Sequence, residues 1–441
     1  MKKENTSIFD WPTQNLLIYG TPLLLFLPFE WTMALILLCL VVWAYQGKMN
    51  NIIHRTPHIS LLLAFGLLQV ISSLFSENLI GLINAIGTLA IVLFVAMILS
   101  KLNPETFEGM LKQTGKYSLF AAILAIIEFG LLANRNGLTF MQSLVDMPPQ
   151  SRISLTYFNP NLYATMIIFF LIVTTYFFFK EENYRKKFGW SIVFLTNLMA
   201  LFMTGCRSAF VDLLVIFPIF FMILNKKKLL AFTLGSETVG IVTLLTHPEL
   251  MPRLTHMDSI YARISIWRTT LQGIIDKPLI GGGPQYYQML SQEMGSVPAA
   301  HAHNLLLEML LANGIVGTVL MAVYSYRIVS TTNQTRFVKE RPLYRALICA
   351  VISAVLIEGL VDYTINFPAT AMFFLFVISA PAVMETSQQK VAQPFVNRAT
   401  SLVFEYYFKP VAQNRYMNMQ PTNTKSQVVS KSTYPITRIK S

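Results

Sequence analysis

Apolar runs about as long as a bilayer is thick recur along almost the whole chain, each closed by charged residues or by a break rich in Pro and Asn. A helix needs ~20 apolar residues to cross a hydrocarbon core of ~30 Å. The runs predict helices near 14 to 28, 31 to 46, 59 to 76, 79 to 100, 117 to 133 and 161 to 179. Six more are predicted near 189 to 204, 207 to 224, 229 to 246, 304 to 327, 343 to 362 and 367 to 386. The expected fold class is an all-α integral membrane protein with about 12 transmembrane helices, residues 1-386 forming one polytopic membrane domain. No internal repeat is visible.

Two connections are too long to be simple turns, residues 134 to 160 and residues 247-303, and long ordered loops are uncommon unless functional. The second holds Pro248, Pro252, Pro278, Pro284 and Pro298 around an amphipathic stretch from Ile260 to Ile275. That stretch predicts a short interfacial helix. Residues 387-441 are polar and basic and are expected to be a disordered cytoplasmic tail.

Composition agrees with the pattern: 54% of the residues are hydrophobic and 13% charged, against about 25% charged in soluble domains. The opening Met1-Lys2-Lys3 is followed by an apolar segment that runs through Phe29, Trp31 and Trp43 with no small-residue cleavage site, so it is expected to be retained. Cys39, Cys206 and Cys349 form neither a disulfide framework nor a metal-ligand spacing.

The net charge of +12 takes its meaning from where it lies. With a cytoplasmic N-terminus, the Lys and Arg concentrate in the loops on the inner side, as membrane insertion favours. Of the 34, all fall inside except Arg135, Arg152, Arg207, Arg253, Arg263, Arg268 and Lys277. Topology and anionic lipid thus account for the basic excess, and no nucleic acid partner is expected. N- and C-termini are expected to be cytoplasmic, and the outer cations, disfavoured where they sit, become the informative ones.

The strongest local signal closes the long outer loop, where His301-Ala302-His303-Asn304 runs straight into an apolar helix. An imidazole at a helix mouth near water suits a general base at neutral pH. A surface histidine at a membrane interface is the plain alternative. Arg207 lies at an outer turn in Thr204-Gly205-Cys206-Arg207-Ser208, and Arg263 and Arg268 lie on the amphipathic stretch. Guanidinium groups match phosphate oxygens bidentately, although snorkelling to headgroups would also explain them.

Glu128, Asp212, Glu308, Glu358 and Asp362 are acids within or at the ends of spans, each a functional candidate by default. Asn304 and Glu308 share one helix face. Asn159-Pro160-Asn161 reads as a capped helix start, and Gly281-Gly282-Gly283-Pro284 as a turn, since it lacks the Lys-Ser/Thr ending of a phosphate loop. Acids and histidines do not recur at ligand spacings, so no metal and no other cofactor is expected.

Together these pieces resemble the superfamily of O-antigen ligases and O-antigen polymerases, bacterial membrane glycan transferases. His303-Asn304, nine residues, then Gly314-Ile315-Val316-Gly317-Thr318 fits the H-[NSQ]-x9-G-x-x-G-T pattern of that superfamily without a gap. Thr204-x-x-Arg207, Arg263-x-x-x-Trp267 followed by Lys277-Pro278-Leu279-Ile280-Gly281-Gly282-Gly283, and Phe158-Asn159-Pro160-Asn161 agree in order. The resemblance covers residues 150 to 380; Cys206 departs from it, a Ser more often preceding this Arg.

The resemblance implies a GT-C-like helical fold and a metal-independent, inverting transfer of glycan from an undecaprenyl-pyrophosphate-linked donor to an acceptor glycan. The site would be extracytoplasmic in a bacterial cytoplasmic (inner) membrane. His303 would activate the acceptor hydroxyl while Arg207 and Arg263 hold the pyrophosphate. His301, Asn304, Glu308, Arg152, Asn159, Arg268 and Asp362 stand as supporting candidates.

A polymerase of lipid-linked repeat units is the first expectation, because no large outer domain is present to recognise a protein acceptor. A ligase acting on a lipid A core or protein is the second, and a lipid-linked glycan transporter the third. Membrane lipid, and other membrane proteins of polysaccharide assembly, complete the expected partners.

Overall fold

The computed structural model describes residues 12–49, 52, 55–247 and 258–385. The tail expected at 387-441, and Arg253, lie outside these residues. The described chain is helical throughout, with no strand among the described residues.

The first half runs through α1 Leu16–Phe26, α2 Phe29–Tyr45, α3 Ile59–Phe75, α4 Leu79–Ser100 and α5 Pro104–Arg135. It continues with the short α6 Phe140–Asp146, then α7 Pro160–Lys180, α8 Tyr184–Met203, α9 Arg207–Ile223 and α10 Lys227–Thr246. There follow α11 Asp258–Asp276, α12 Tyr286–Glu293, α13 Leu305–Gln334, α14 Arg336–Lys339, α15 Pro342–Glu358 and α16 Pro368–Glu385. Every predicted apolar run is helical where described, and among the described residues six helices (α4, α5, α7, α10, α13 and α16) are long and apolar enough to cross a membrane.

Three predicted boundaries need correction. Helix α5 begins at Pro104, not near 117, because Asn103 accepts the Thr106 N–H at 2.8 Å and Pro104 takes the first turn. Polar residues then continue the same helix out of the apolar zone. Helix α13 runs past 327 to Gln334. Helix α15 ends at Glu358, so Asp362 lies beyond it in a turn.

Helix α7 is the central post. It is apolar on all sides, as a buried helix must be, and Leu162 to Phe177 are buried without interruption. Helices α5, α8, α9 and α15 pack around it. The outward faces of the surrounding helices carry exposed Val41, Phe75, Phe120, Leu195 and Val239. Apolar side chains at that density on an outer surface belong against lipid.

The two ends of the bundle differ. At one, Glu108 accepts hydrogen bonds from Tyr176 and Tyr344 and pairs with Lys180. At the other, the long connections are tied down: Tyr157 Oη donates to the Leu25 carbonyl at 2.6 Å, and Asn136 to Ser151 Oγ at 2.9 Å. The amphipathic stretch forms α11 as expected, packed on α12 and α13.

The Gly281-Gly282-Gly283-Pro284 turn has a structural task. Gly314 breaks α13 with φ 59° and ψ −168°, and the segment 278–283 seats in the break. Gly282 N and Gly283 N donate to the carbonyls of Leu311 and Ala312, while Ile315 N and Val316 N donate to those of Pro278 and Leu279. A Cβ on Gly314 would sit 2.3 Å from the Leu279 carbonyl carbon, and its φ is one that only glycine adopts freely. Thr318 Oγ1 donates to the Gly314 carbonyl at 2.7 Å. Asn78 Nδ2 clamps the turn from outside through Gly282 O and Pro284 O.

Candidate functional site

His303, at φ 50°, is held at the mouth of α13 by the residues around it. Asn304 caps the helix, accepting the Leu307 N–H at 3.0 Å, and its Nδ2 donates to the Leu360 carbonyl at 2.8 Å. Glu308 reaches back to accept the Ala302 N–H at 2.7 Å, while Trp267 Nε1 donates to Ala302 O at 3.0 Å. The loop before His303 is thereby pinned between α13 and α11. The support expected of Asn304 and Glu308 is present as geometry.

The turn after α15 brings Asp362 against this mouth. His303 Nδ1 lies 2.9 Å from Asp362 Oδ1. A carboxylate can only accept, so His303 carries its proton on Nδ1 and turns Nε2 away from Asp362. Asp362 Oδ1 also accepts the Tyr363 N–H at 2.9 Å, and Asp362 Oδ2 accepts from Asn161 Nδ2 at 2.8 Å. Burial would raise this carboxyl, which is 2% exposed, but the His303 hydrogen bond, the two imidazoles and Asn161 hold it well below the usual carboxylate range.

His301 packs beside the pair, its ring centre 4.4 Å from that of His303 and its Nε2 3.9 Å from Asp362 Oδ1. Burial lowers its pKa to about 4 against the pull of Asp362, with His303 and Arg263 lowering it further. It is neutral at physiological pH.

Adjoining this group is a polar pocket lined by Arg152, Asn161, Gly205, Cys206, Arg207, Ser208 and Arg263. Three elements meet there. Arg207 opens α9 at the positive end of its helix dipole. Arg263 comes from α11. Arg152 comes from the loop after α6, its Nε donating to Thr204 O at 2.6 Å and its Nη2 to Asn161 Oδ1 at 2.7 Å. Three guanidinium groups converging with a helix N-terminus make a site for an anion of high charge density.

Close to the His303–Asp362 pair an apolar cavity of roughly 1000 Å³, open mouth included, runs between α3, α4, α13, α15 and α16. Its lining begins at Leu305 and Tyr363 and extends along α13 as far as Ser325.

The fold therefore assembles Arg207, Arg263, Arg152, His301, His303 and Asp362 at one end. Arg268 is exposed and stands outside the pocket lining. Asn159 caps α7 through the Asn161 N–H at 2.8 Å and acts on the helix start. Lys277 donates to Ser76 Oγ at 2.7 Å and lies over the Tyr286 ring, a structural anchor. Asn161 is the residue that sequence reading missed, because one Asn suffices to cap a helix and the second drew no attention. Asp362 was a supporting candidate, but nothing in the sequence paired it with His303.

The expectation of no metal set also changes in form. His301, His303 and Asp362, far apart by sequence spacing, offer three ligand atoms within 4.8 Å of one another. The set could hold a cation, and it equally forms the hydrogen-bonded pair already described.

These features define a class: an all-helical integral membrane protein that sets a histidine–carboxylate pair beside an arginine-lined anion pocket. The family model described as O-antigen ligase matches residues 192–322, a segment that holds Arg207, Arg263 and His303. Over that segment the chain is similar to the O-antigen ligase family, in agreement with the resemblance read from the sequence. Comparison with curated proteins finds no match.

Proposed function

We propose that this protein is a membrane glycan polymerase, transferring an undecaprenyl-pyrophosphate-linked oligosaccharide onto a hydroxyl of an acceptor glycan in capsule, exopolysaccharide or O-antigen assembly. It would act at the outer face of a bacterial inner membrane, with both termini cytoplasmic. The observation that carries the reading is the His303–Asp362 pair directly beside the pocket of Arg152, Arg207 and Arg263.

In this scheme the acceptor hydroxyl gives its proton to His303 Nε2 as its oxygen attacks the anomeric carbon. The bond from that carbon to the pyrophosphate oxygen breaks on the opposite face, so the configuration inverts. Asp362 stabilises the imidazolium as it forms, an arrangement in which the carboxylate orients the base without taking the proton. Undecaprenyl pyrophosphate leaves against the arginines, whose stabilisation of the developing charge can contribute ~3 kcal/mol or more. Three fixed cations take the place that a metal ion would occupy in such a transfer, so the reaction is metal-independent here. The apolar cavity alongside offers the lipid tail a place at membrane depth. Acceptor choice favours a glycan on its own lipid, since the long connections form no large domain among the described residues.

Purified protein supplied with an undecaprenyl-pyrophosphate oligosaccharide should yield longer lipid-linked chains, with the rate unchanged by a chelator. His303→Ala should lose roughly 100-fold or more in rate. Arg207→Lys and Arg263→Lys, which keep charge and lose the fork, should each lose at least tenfold. Unchanged elongation by His303→Ala would remove it as the base, and loss of activity in chelator would assign the His301–His303–Asp362 set to a cation instead.

A further inference from the structure

The anion pocket and the general base are contributed by different parts of the chain, and one side chain bridges them. Asn161 Oδ1 accepts from Arg152 Nη2 at 2.7 Å, and Asn161 Nδ2 donates to Asp362 Oδ2 at 2.8 Å. The chain of contacts then passes from Asp362 Oδ1 to His303 Nδ1 at 2.9 Å. We propose that Asn161 is a positioning residue of the transfer reaction: its amide locks the arginine clamp for the leaving group and the Asp362–His303 base into one rigid unit. The inference rests on the reading of the site given under Proposed function.

The chemistry of the two ends fixes which way the amide points. A guanidinium only donates and a carboxylate only accepts, so a flipped amide would set NH₂ against Arg152 and C=O against Asp362. Only a primary amide offers one acceptor and one donor across this gap. Asp could serve Arg152 but not Asp362; Leu could serve neither.

The fold itself does not need this side chain. Helix α7 is already started by Asn159, which accepts the Asn161 N–H, and by Pro160 in the first turn. Asn161 is half-buried, facing the pocket it lines, whereas the uninterrupted packing of α7 begins at Leu162. Its consequence is felt at Asp362. With Oδ2 held by Asn161 and Oδ1 held by His303 and the Tyr363 N–H, the carboxylate cannot rotate. Remove the amide and Oδ2 loses its donor in a buried setting; the carboxylate turns and His303 turns with it. A base displaced by ~1 Å from its attack geometry can lose on the order of 100-fold in rate.

A double-mutant cycle on elongation of an undecaprenyl-pyrophosphate oligosaccharide tests this, run under single-turnover conditions with Asn161→Leu, Asp362→Asn and the pair, and with His303→Ala as control. Asn161→Leu should lower the chemical rate roughly 10- to 100-fold with the donor KM changed by less than about threefold. In the Asp362→Asn background it should add less than about threefold, since the two residues act as a unit. Asn161→Asp, close to isosteric and still able to pair with Arg152, should be as impaired as Asn161→Leu at mildly alkaline pH. It keeps the test open if the leucine variant fails to fold.

Equal losses from Asn161→Leu in both backgrounds would overturn the proposal, as would a loss confined to donor KM or an Asn161→Asp enzyme at the wild-type rate. His303→Ala elongating at the wild-type rate would instead overturn the reading of the site, whatever Asn161 does.

Discussion

Burial decides the charge of His301, and that makes its contribution to stability depend on pH. Its pKa falls from the ordinary 6.5 to about 4 in the folded protein, so between those values the unfolded chain binds the extra proton and the folded chain does not. Stability therefore falls as pH drops from 6.5 toward 4, by an amount on the order of 1–3 kcal/mol. Asp362, held low by His303 and Asn161, keeps its contribution through that window and loses it at more acid pH, as the carboxyl takes its proton. His301→Asn should flatten the pH dependence of thermal unfolding in detergent between pH 6.5 and 4. A slope as steep in the variant as in wild type would place the protonation elsewhere.

The cations expected outside divide by what they touch. Arg152, Arg207 and Arg263 line the anion pocket, Lys277 anchors a loop on Ser76, and Arg135 and Arg268 are exposed. Sequence position treats all of them alike, since insertion disfavours each for the same reason. Only spatial convergence sorts them.

Among the elements, α13 carries the most information per residue. The same motif that begins at His303 contains the glycine that breaks the helix and the threonine whose hydroxyl bonds that glycine's carbonyl. Its spacing has a physical reason: His303 sits just before the helix N-cap, and the break one helical segment later receives the 278–283 turn. That turn ties α11, which carries Arg263, to the helix that carries His303. Gly314→Ala should therefore destabilise by at least ~1–3 kcal/mol from φ alone, with the contact to Leu279 adding to it. The expected observation is a lowered Tm and faster thermolysin cleavage before Ile280 in the released turn. A variant cleaved no faster than wild type would show that the turn does not depend on the break.

For the whole molecule, the two ends should face opposite sides of the membrane. A cysteine in place of exposed Arg268 should react with an impermeant maleimide added outside intact cells, and one in place of exposed Tyr184 only after permeabilisation. Labelling of both from outside would break the topology on which the extracytoplasmic site depends. Helix positions were legible in the sequence because a bilayer demands long apolar runs, and twelve such runs all emerged as helices. Boundaries were less so, because α5 continues through polar residues once Asn103 and Pro104 have started it. The His303 motif and the arginines were legible as chemistry.

By itself the sequence determined the class of protein and the places of its apolar helices, and it singled out His303, Arg207 and Arg263 as candidates, since hydropathy, charge bias and motif spacing are properties of local chain. Tertiary structure decided the rest. That Asp362 rather than another acid meets His303, that Arg152 joins Arg207 and Arg263, and that Asn161 spans the gap between them all depend on α7, α9, α11, α13 and the turn after α15 meeting at one end of the bundle. Contacts between residues up to 201 positions apart leave no periodic trace along the chain.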